Sequence, residues 1–504
     1  MILNIQSQGK AITNIKIKDS VKSKIKEEKI KDSNESLRER TDRTLINARK
    51  EGVYTATKNG LVANYIAPLA IHLGFSSFVI ILLTALPQLI GAFSQLFVER
   101  LAHFFKNRHK LMIICGYFEA YVWILVTLIA AFSINYPFLL ILLVVLDAVF
   151  VNIQNPIWNA ILGDVIPSNR IATYFGKRNV FVGLAGLFST VLAGLVLSKI
   201  ASINVALGFS ILFFLGFLSA RLAVNSQERI FDPSPKSMYS KDYSFYQFLK
   251  NVKKNNFGNF ATFFSLYKLA VAVSTPFFAI YMLRELNFSY LIFTIIIGGA
   301  VLSSMISNRF WTNFTLSQGS RKVLFISSFI IPFIPLFWLI SVDWKVLLLI
   351  ELVSGVAWAG FNIASSTFVF EAVNPKQKIK FLAYNNVLAG IGAFIGTMIG
   401  MFITFFDLKS LGSVFFMIFL VSSILRLLVA LFFVNKIQEE KVVSIGLKEH
   451  YKRFITIRPK EGVVFEIIGD VNKNIVKKTI VKPVVKEKIK NVPGKGPFKI
   501  KPKY

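Results

Sequence analysis

The chain has 504 residues, 54% of them hydrophobic and 17% charged, with a formal net charge of +31. A mean hydropathy of +0.57 and uncharged runs such as SSFVIILLTALPQLIGAFSQLF at 76–97 exclude an ordinary soluble domain, since roughly 20 apolar residues suffice for a helix to cross the hydrocarbon. One cysteine, Cys115, excludes an intrachain disulfide and a multi-thiolate metal site, and basic residues gathered in tails and alternate loops speak for a membrane rather than nucleic acid as the origin of the charge.

In chain order, residues 1–51 form a Lys/Glu-rich tail that reads as disorder or a loose helix. It has no apolar core of the signal-peptide kind. Six apolar segments follow at 53–73, 77–98, 110–133, 137–160, 175–200 and 203–224, making a first half over 52–225. Within it, Tyr65 is a candidate for a central cavity, while Lys58 reads as a snorkelling residue near a span end. Glu119, between Tyr117 and Tyr121, reads as a structural hydrogen-bonding group or a proton site. Asp147 lies about ten residues into its span, roughly 15 Å deep, and is a second proton-site candidate. With Gln154 and Trp158 it shares one helical face, and Asn155 adjoins that face.

A linker at 226–257 carries Phe245, Phe248, Leu249 and Val252 among lysines. It reads as an amphipathic helix on the membrane surface, or as a plain linker helix. The second half, 258–436, holds segments at 259–283, 288–309, 322–341, 344–368, 380–405 and 411–434. Lys268 interrupts the first of these near its middle. Glu351, Ser354, Trp358 and Asn362 share a face of the fourth. Arg221 and Arg426 read as anchors near span ends. The tail 437–504 is again lysine-rich, suited to anionic lipid headgroups, and 454–468 alternates like a hairpin. A ten-span alternative holds if the two least apolar segments, the first and the seventh, lie on the surface.

The connections alternate between short, nearly uncharged turns and longer basic loops. Lys and Arg are retained on the cytoplasmic side, so the basic loops and both tails are expected there, in an integral protein of the cell membrane. Two stretches repeat at a spacing of 207 residues: Asn155 with Asn362, Asp164 with Glu371, Asn179 with Asn386, Gly183 with Gly390, Thr190 with Thr397. Six spans and a linker fill that spacing. The expected fold is therefore an all-α membrane protein of twelve transmembrane helices in two six-helix halves related by a parallel repeat.

With this architecture, the stretch WNAILGDVIPSNRIATYFGKRN at 158–179 and the basic loops QLFVERLAHFFKNRHKL (95–111) and NRFWTNFTLSQGSRKVL (308–324) resemble the major facilitator superfamily. The family's loop pattern G-x-x-x-D-R-x-G-R-R survives in Arg100, Arg108 and Lys110, and in Gly319, Arg321 and Lys322. His103 and Leu316 stand where the acid is expected, and Lys106 where a glycine is. The resemblance implies a substrate site at the midplane between halves, with spans one, four, seven and ten lining it. That makes Tyr65, Asp147, Gln154, Asn155, Trp158, Lys268, Glu351, Trp358 and Asn362 the cavity candidates, and Arg100, Arg108, Lys110, Arg321 and Lys322 the gate-loop candidates. It implies a secondary transporter of a small solute working by alternating access, with coupling to H+ or Na+ left open. The altered loops keep a second reading in play: a transporter-like scaffold, receptor or lipid-handling protein. No nucleotide-binding loop, metal pair or catalytic motif occurs, so neither an enzyme nor a cofactor, metal site or nucleic-acid partner is expected.

Overall fold

The computed structural model describes residues 39–166, 171–200, 203–233, 244–252, 255–372, 378–406 and 413–439. The expected hairpin at 454–468 falls outside them. Every regular element described is helical. The first half contains α1 (39–62), α2 (Ile66–His72), α3 (Ser77–Ser94), α4 (Val98–Phe105), α5 (Arg108–Ala131), α6 (Pro137–Val165), α7 (Ile171–Ile200) and α8 (Val205–Glu228). A short α9 (Phe245–Asn251) leads to the second half: α10 (Asn256–Ala272), α11 (Thr275–Ile280), α12 (Tyr290–Gln318), α13 (Ser320–Ile330), α14 (Phe333–Phe337), α15 (Trp344–Ala372), α16 (Lys378–Ile403) and α17 (Val414–Phe433).

Among the described residues, 11 helical stretches are long and apolar enough to cross a membrane. The twelfth expected span, the first in the chain, is present but broken. α1 runs from residue 39, well inside the expected tail, and ends at 62; α2 resumes at Ile66. Pro68 explains the break: it has no N–H for the carbonyl of Asn64, and its ring crowds that carbonyl.

Its counterpart in the second half breaks likewise, between α10 and α11, where Pro276 cannot donate to Ala272. In hydrocarbon the freed carbonyls need other donors, and neighbouring helices supply them. Thr397 Oγ1 donates to Ala272 O at 3.4 Å, Ser422 Oγ to Ala270 O at 2.7 Å, and Arg426 Nη2 to Ser274 Oγ at 2.7 Å and Val271 O at 3.4 Å. Arg426 also reaches Ile331 O at 3.4 Å, the carbonyl that Pro335 leaves without its helical partner. It is 3% exposed, so it is no snorkelling anchor. Its planar fork of donors holds two helix breaks together.

The halves repeat each other's packing. α3 on α6 is answered by α12 on α15, α5 on α6 by α13 on α15, and α5 on α8 by α13 and α14 on α17. They meet along two seams, α3 with α16 and α7 with α12. The repeated glycines lie on these seams: a Cβ at Gly183 would touch Met305 of α12 at 3.4 Å, and one at Gly390 would sit 2.7 Å from Ala92 Cβ and 2.8 Å from Gln88 O of α3. At Gly390 only a glycine lets the backbones approach so closely.

α9 does not lie with its apolar face in lipid. Phe248 is 1% exposed, packed on Phe257, Phe381 and Tyr384, while Phe245 lies on Tyr384. Phe248 is buried in protein and Phe245 half-buried because α16 offers matching rings there, while Tyr246 and Leu249 face outward with Gln247 and Lys250.

The repeat also continues past the last helix of each half, at the same spacing of 207. After α8, Asn47 donates to Arg229 O and Phe231 N donates to Thr44 Oγ1, and Asp232 meets Arg108. After α17, Asn259 donates to Lys436 O and Gln438 N donates to Asn256 Oδ1, and Glu439 meets the start of α13. Each half thus ends in a strap that ties its first helix to the loop before its third.

Candidate functional site

Three ionisable side chains meet at mid-span in the first half. Lys58 Nζ of α1 donates to Glu119 Oε1 of α5 at 2.5 Å and stands 4.0 Å from Asp147 Oδ1 of α6. Gln154 Nε2 donates to Glu119 Oε2 at 2.6 Å, and Gln227 Nε2 of α8 donates to Gln154 Oε1 at 3.2 Å. The Lys58 ammonium lies 5.8 Å from the Trp123 ring centre. The Trp123 indole N–H faces Asp147, yet neither that nitrogen nor Asp147 Oδ1 reaches a hydrogen-bond partner. One ammonium and two carboxyls leave the cluster with an odd negative charge. A charge at the bilayer centre costs about 3 kcal/mol on the milder scales, so a bound proton would relieve the cluster. Lys58 is 3% exposed: its side chain turns inward to Glu119 rather than out to the membrane surface.

The face expected to line the cavity therefore turns into the first half. Gln154 is buried against α5 and α8. Trp158 lies under Arg178, 4.5 Å from its ring centre, and Arg178 pairs with Glu51 of α1 at 3.2 Å. Tyr65 is 1% exposed and forms a clasp: its hydroxyl donates to Thr190 O of α7 at 3.2 Å and lies 2.8 Å from Thr294 Oγ1 of α12. Asn155 and Asn362 are exposed.

In the second half, Lys268 and Asp147 do not pair; no ion pair within 4.0 Å joins them among the described residues. Lys268 Nζ lies instead 5.5 Å from the Phe264 ring centre and 5.6 Å from that of Trp358. Cation–π contacts return about 0.5–2 kcal/mol each, less than a full counter-ion does in hydrocarbon. Glu351 faces away from them: it accepts from Trp338 Nε1 at 3.1 Å, and Arg426 is the cation acting on it. Lys268, Glu351 and Arg426 leave this half with an odd positive charge, the reverse of the first.

Polar links join the halves at both ends. At the end with short turns, Arg284 donates to Ser77 Oγ at 3.1 Å and to the Phe75 carbonyl. At the end with basic loops, Lys380 pairs with Glu99 at 3.4 Å, and Asn386 Nδ2 donates to Gln95 Oε1 at 3.2 Å. Gln95 in turn donates to Asn152 Oδ1 at 2.5 Å. Asn386 thus bridges to the other half.

Of the gate-loop candidates, Arg108 is 2% exposed and held by Asp164 at 2.6 Å and Asp232 at 2.7 Å. Arg321 contributes its backbone N–H to Glu439 Oε2 at 2.9 Å, and Lys322 reaches Gln318 Oε1 at 3.2 Å. Arg100 and Lys110 are exposed. Lys106 adopts φ 55°, the left-handed conformation a glycine would take there without strain. Among the described residues no group of three His, Cys, Asp or Glu side chains could hold a metal ion.

The profile of the Major Facilitator Superfamily matches the chain twice, over residues 53–271 and 257–486. The chain belongs to the Major Facilitator Superfamily. As a superfamily member it is a secondary transporter, an integral membrane protein with a small-molecule solute as cargo. Solved superfamily structures share its fold. A mutant of the nucleoside transporter NupG is 15% identical, with a TM-score of 0.62, covering 78% of this chain and 100% of its own. A bacterial homologue of the human lysosomal transporter Spinster, inward-facing and unoccupied, is 14% identical, with a TM-score of 0.56, covering 79% and 97%. A search of curated proteins returns no significant match.

The sequence reading of this superfamily member overlooked Lys58 as a partner for Glu119, Arg426 as a core donor, and the links through Arg284, Gln95, Glu99 and Lys380. The strap residues Asp232 and Glu439 carried a usable signal, since RIFD at 229–232 and KIQE at 436–439 keep the spacing of the repeat.

Proposed function

We propose that the two halves carry a small solute by alternating access, driven by protons, with the basic loops and both tails in the cytoplasm of a cell membrane. The observation that supports this most is the pair of glycine-bearing seams with a polar link at each end. Arg284 closes one end, and Lys380–Glu99 with Asn386–Gln95 closes the other. Such links are few and separable, so one end can open while the other stays shut.

The Lys58–Glu119–Asp147 cluster supports proton coupling. It bridges α1, α5 and α6, holds one carboxyl too many for its ammonium, and lies at mid-span, where ionisable groups form proton relays. A sodium ion would need several oxygens around it, and Lys58 already occupies that space. The basic tails would lie against anionic inner-leaflet lipids. The cargo of NupG is not carried over, because the likeness to it is one of fold.

The test is uptake by proteoliposomes, screened over anionic, neutral and cationic solutes, with an inward pH gradient, a sodium gradient, or neither. Accumulation that needs the pH gradient, and falls to equilibration in Glu119→Gln and Asp147→Asn, supports the proposal. Uptake driven by sodium alone would reject proton coupling. No uptake of any solute class would favour the scaffold or lipid-handling reading.

A further inference from the structure

We propose that Lys268 is the counter-charge for an anionic solute: a small organic carboxylate or phosphate whose head meets the Lys268 ammonium and whose planar body lies on Trp358. This rests on the transporter reading above and names the class of its cargo.

Depth comes first. Lys268 lies twelve residues beyond Asn256, the start of α10, roughly 18 Å along the helix at 1.5 Å per residue. Trp358 lies fourteen residues beyond Trp344, the start of the oppositely directed α15, roughly 21 Å along it. The two meet near the midplane, where the substrate of a two-half transporter is held.

The company Lys268 keeps is the second observation. Each other mid-span charge described above has a polar protein partner: Lys58 has Glu119, Asp147 has Lys58, Glu351 has Trp338, and Arg426 has Ser274. Lys268 makes no hydrogen bond and no ion pair among the described residues, and touches the faces of Phe264 and Trp358 instead. A lysine serving only the fold would carry its carboxylate on a neighbouring helix, as Lys58 does. An ammonium kept at this depth without one is stabilised when an anion arrives from outside the chain.

The third observation is a polar group on the same helix face as Trp358. Asn362 is one turn from Trp358 on the same face of α15; it is exposed and makes no hydrogen bond among the described residues. Its amide N–H and the ammonium are both donors, which a carboxylate or phosphate oxygen satisfies and a cationic solute does not. The Trp358 ring, backed by Phe361 at 5.5 Å between ring centres, offers a flat apolar surface to the remainder of the anion.

The experiment uses the full chain, purified and also reconstituted, with four matched probes: benzoate, phenyl phosphate, benzamide and benzylamine. The melting midpoint in detergent reports binding whether or not transport occurs, and proteoliposome uptake reports transport. At least one of the two anions should raise the midpoint and be taken up, and which one does so separates carboxylate from phosphate. Benzamide and benzylamine should do neither. Lys268→Arg should keep the response and Lys268→Met should weaken it about tenfold or more, as expected for one charge-assisted contact.

An equal response to benzamide, an unchanged response in Lys268→Met, or no response to either anion overturns the proposal. Transport of a neutral or cationic solute that Lys268→Met leaves intact overturns it too, while the transporter reading stands. Anion binding that depends on Lys268 without uptake of any solute upholds the site and counts against transport. If Lys268→Met fails to insert, Trp358→Leu takes its place: benzoate should lose its advantage over acetate, and a retained advantage overturns the proposal.

Discussion

Lys58 decides the chemistry of the first half. It sits 2.5 Å from Glu119 and 4.0 Å from Asp147, and its removal would leave two buried carboxyls with no cation between them. Breaking a buried pair from one side costs about 3–5 kcal/mol. Lys58→Met should therefore lower the melting midpoint sharply and abolish uptake. The double variant Lys58→Met/Glu119→Gln should be more stable than the sum of the singles, because one stranded charge is gone; strictly additive losses would mean the two side chains do not pair. At Lys106 the strain is of the backbone. With φ 55°, Lys106→Gly should stabilise by up to about 1 kcal/mol, and an unchanged or lower midpoint would show that the turn bears no strain. The depths of Asp147, Lys268 and Glu119 were legible because an ionisable residue in an apolar run announces itself. Their partners were not. Spacing gives the face a residue occupies, but not which neighbouring helix that face meets, so Lys58 did not show itself as the partner of Glu119 and Asp147.

At the scale of elements, helix breaks and straps carry the information. Pro68, Pro276 and Pro335 break helices where the sequence suggested continuous spans, since each removes a backbone donor. The compensating donors, Arg426, Ser422 and Thr397, come from helices distant in sequence, which is why Arg426 looked like a surface anchor. The strap after α17 sets a direct test. Gly319 has φ +90°, and a Cβ there would lie 2.4 Å from Glu439 Oε2, whose carboxylate accepts from the N–H groups of Ser320 and Arg321. Gly319→Ala should lower the melting midpoint by the equivalent of about 1–3 kcal/mol and render the chain after α17 more open to proteolysis. Digestion unchanged from the parent would show that the strap does not need this contact.

For the whole molecule, the repeat was the most legible feature. One spacing of 207 residues foretold a chain written twice, and the superfamily profile matches it twice, over 53–271 and 257–486. The meeting of the halves was not legible: Tyr65, Arg284, Gln95 and Lys380 look ordinary in sequence and acquire a role only where helices cross. If Arg284 holds one end shut, Arg284→Ala should shift the molecule towards the state open at that end. Spin labels read this without knowledge of the solute, on a chain whose one cysteine, Cys115, is replaced by alanine. One pair, at Phe78 and Glu285, spans the end with short turns; the other, at His103 and Leu316, spans the end with basic loops. In lipid nanodiscs, alternating access predicts that Arg284→Ala lengthens the first distance while the second, already held by Lys380–Glu99 and Asn386–Gln95, stays short; a first distance that stays fixed, or a second that lengthens with it, would contradict it.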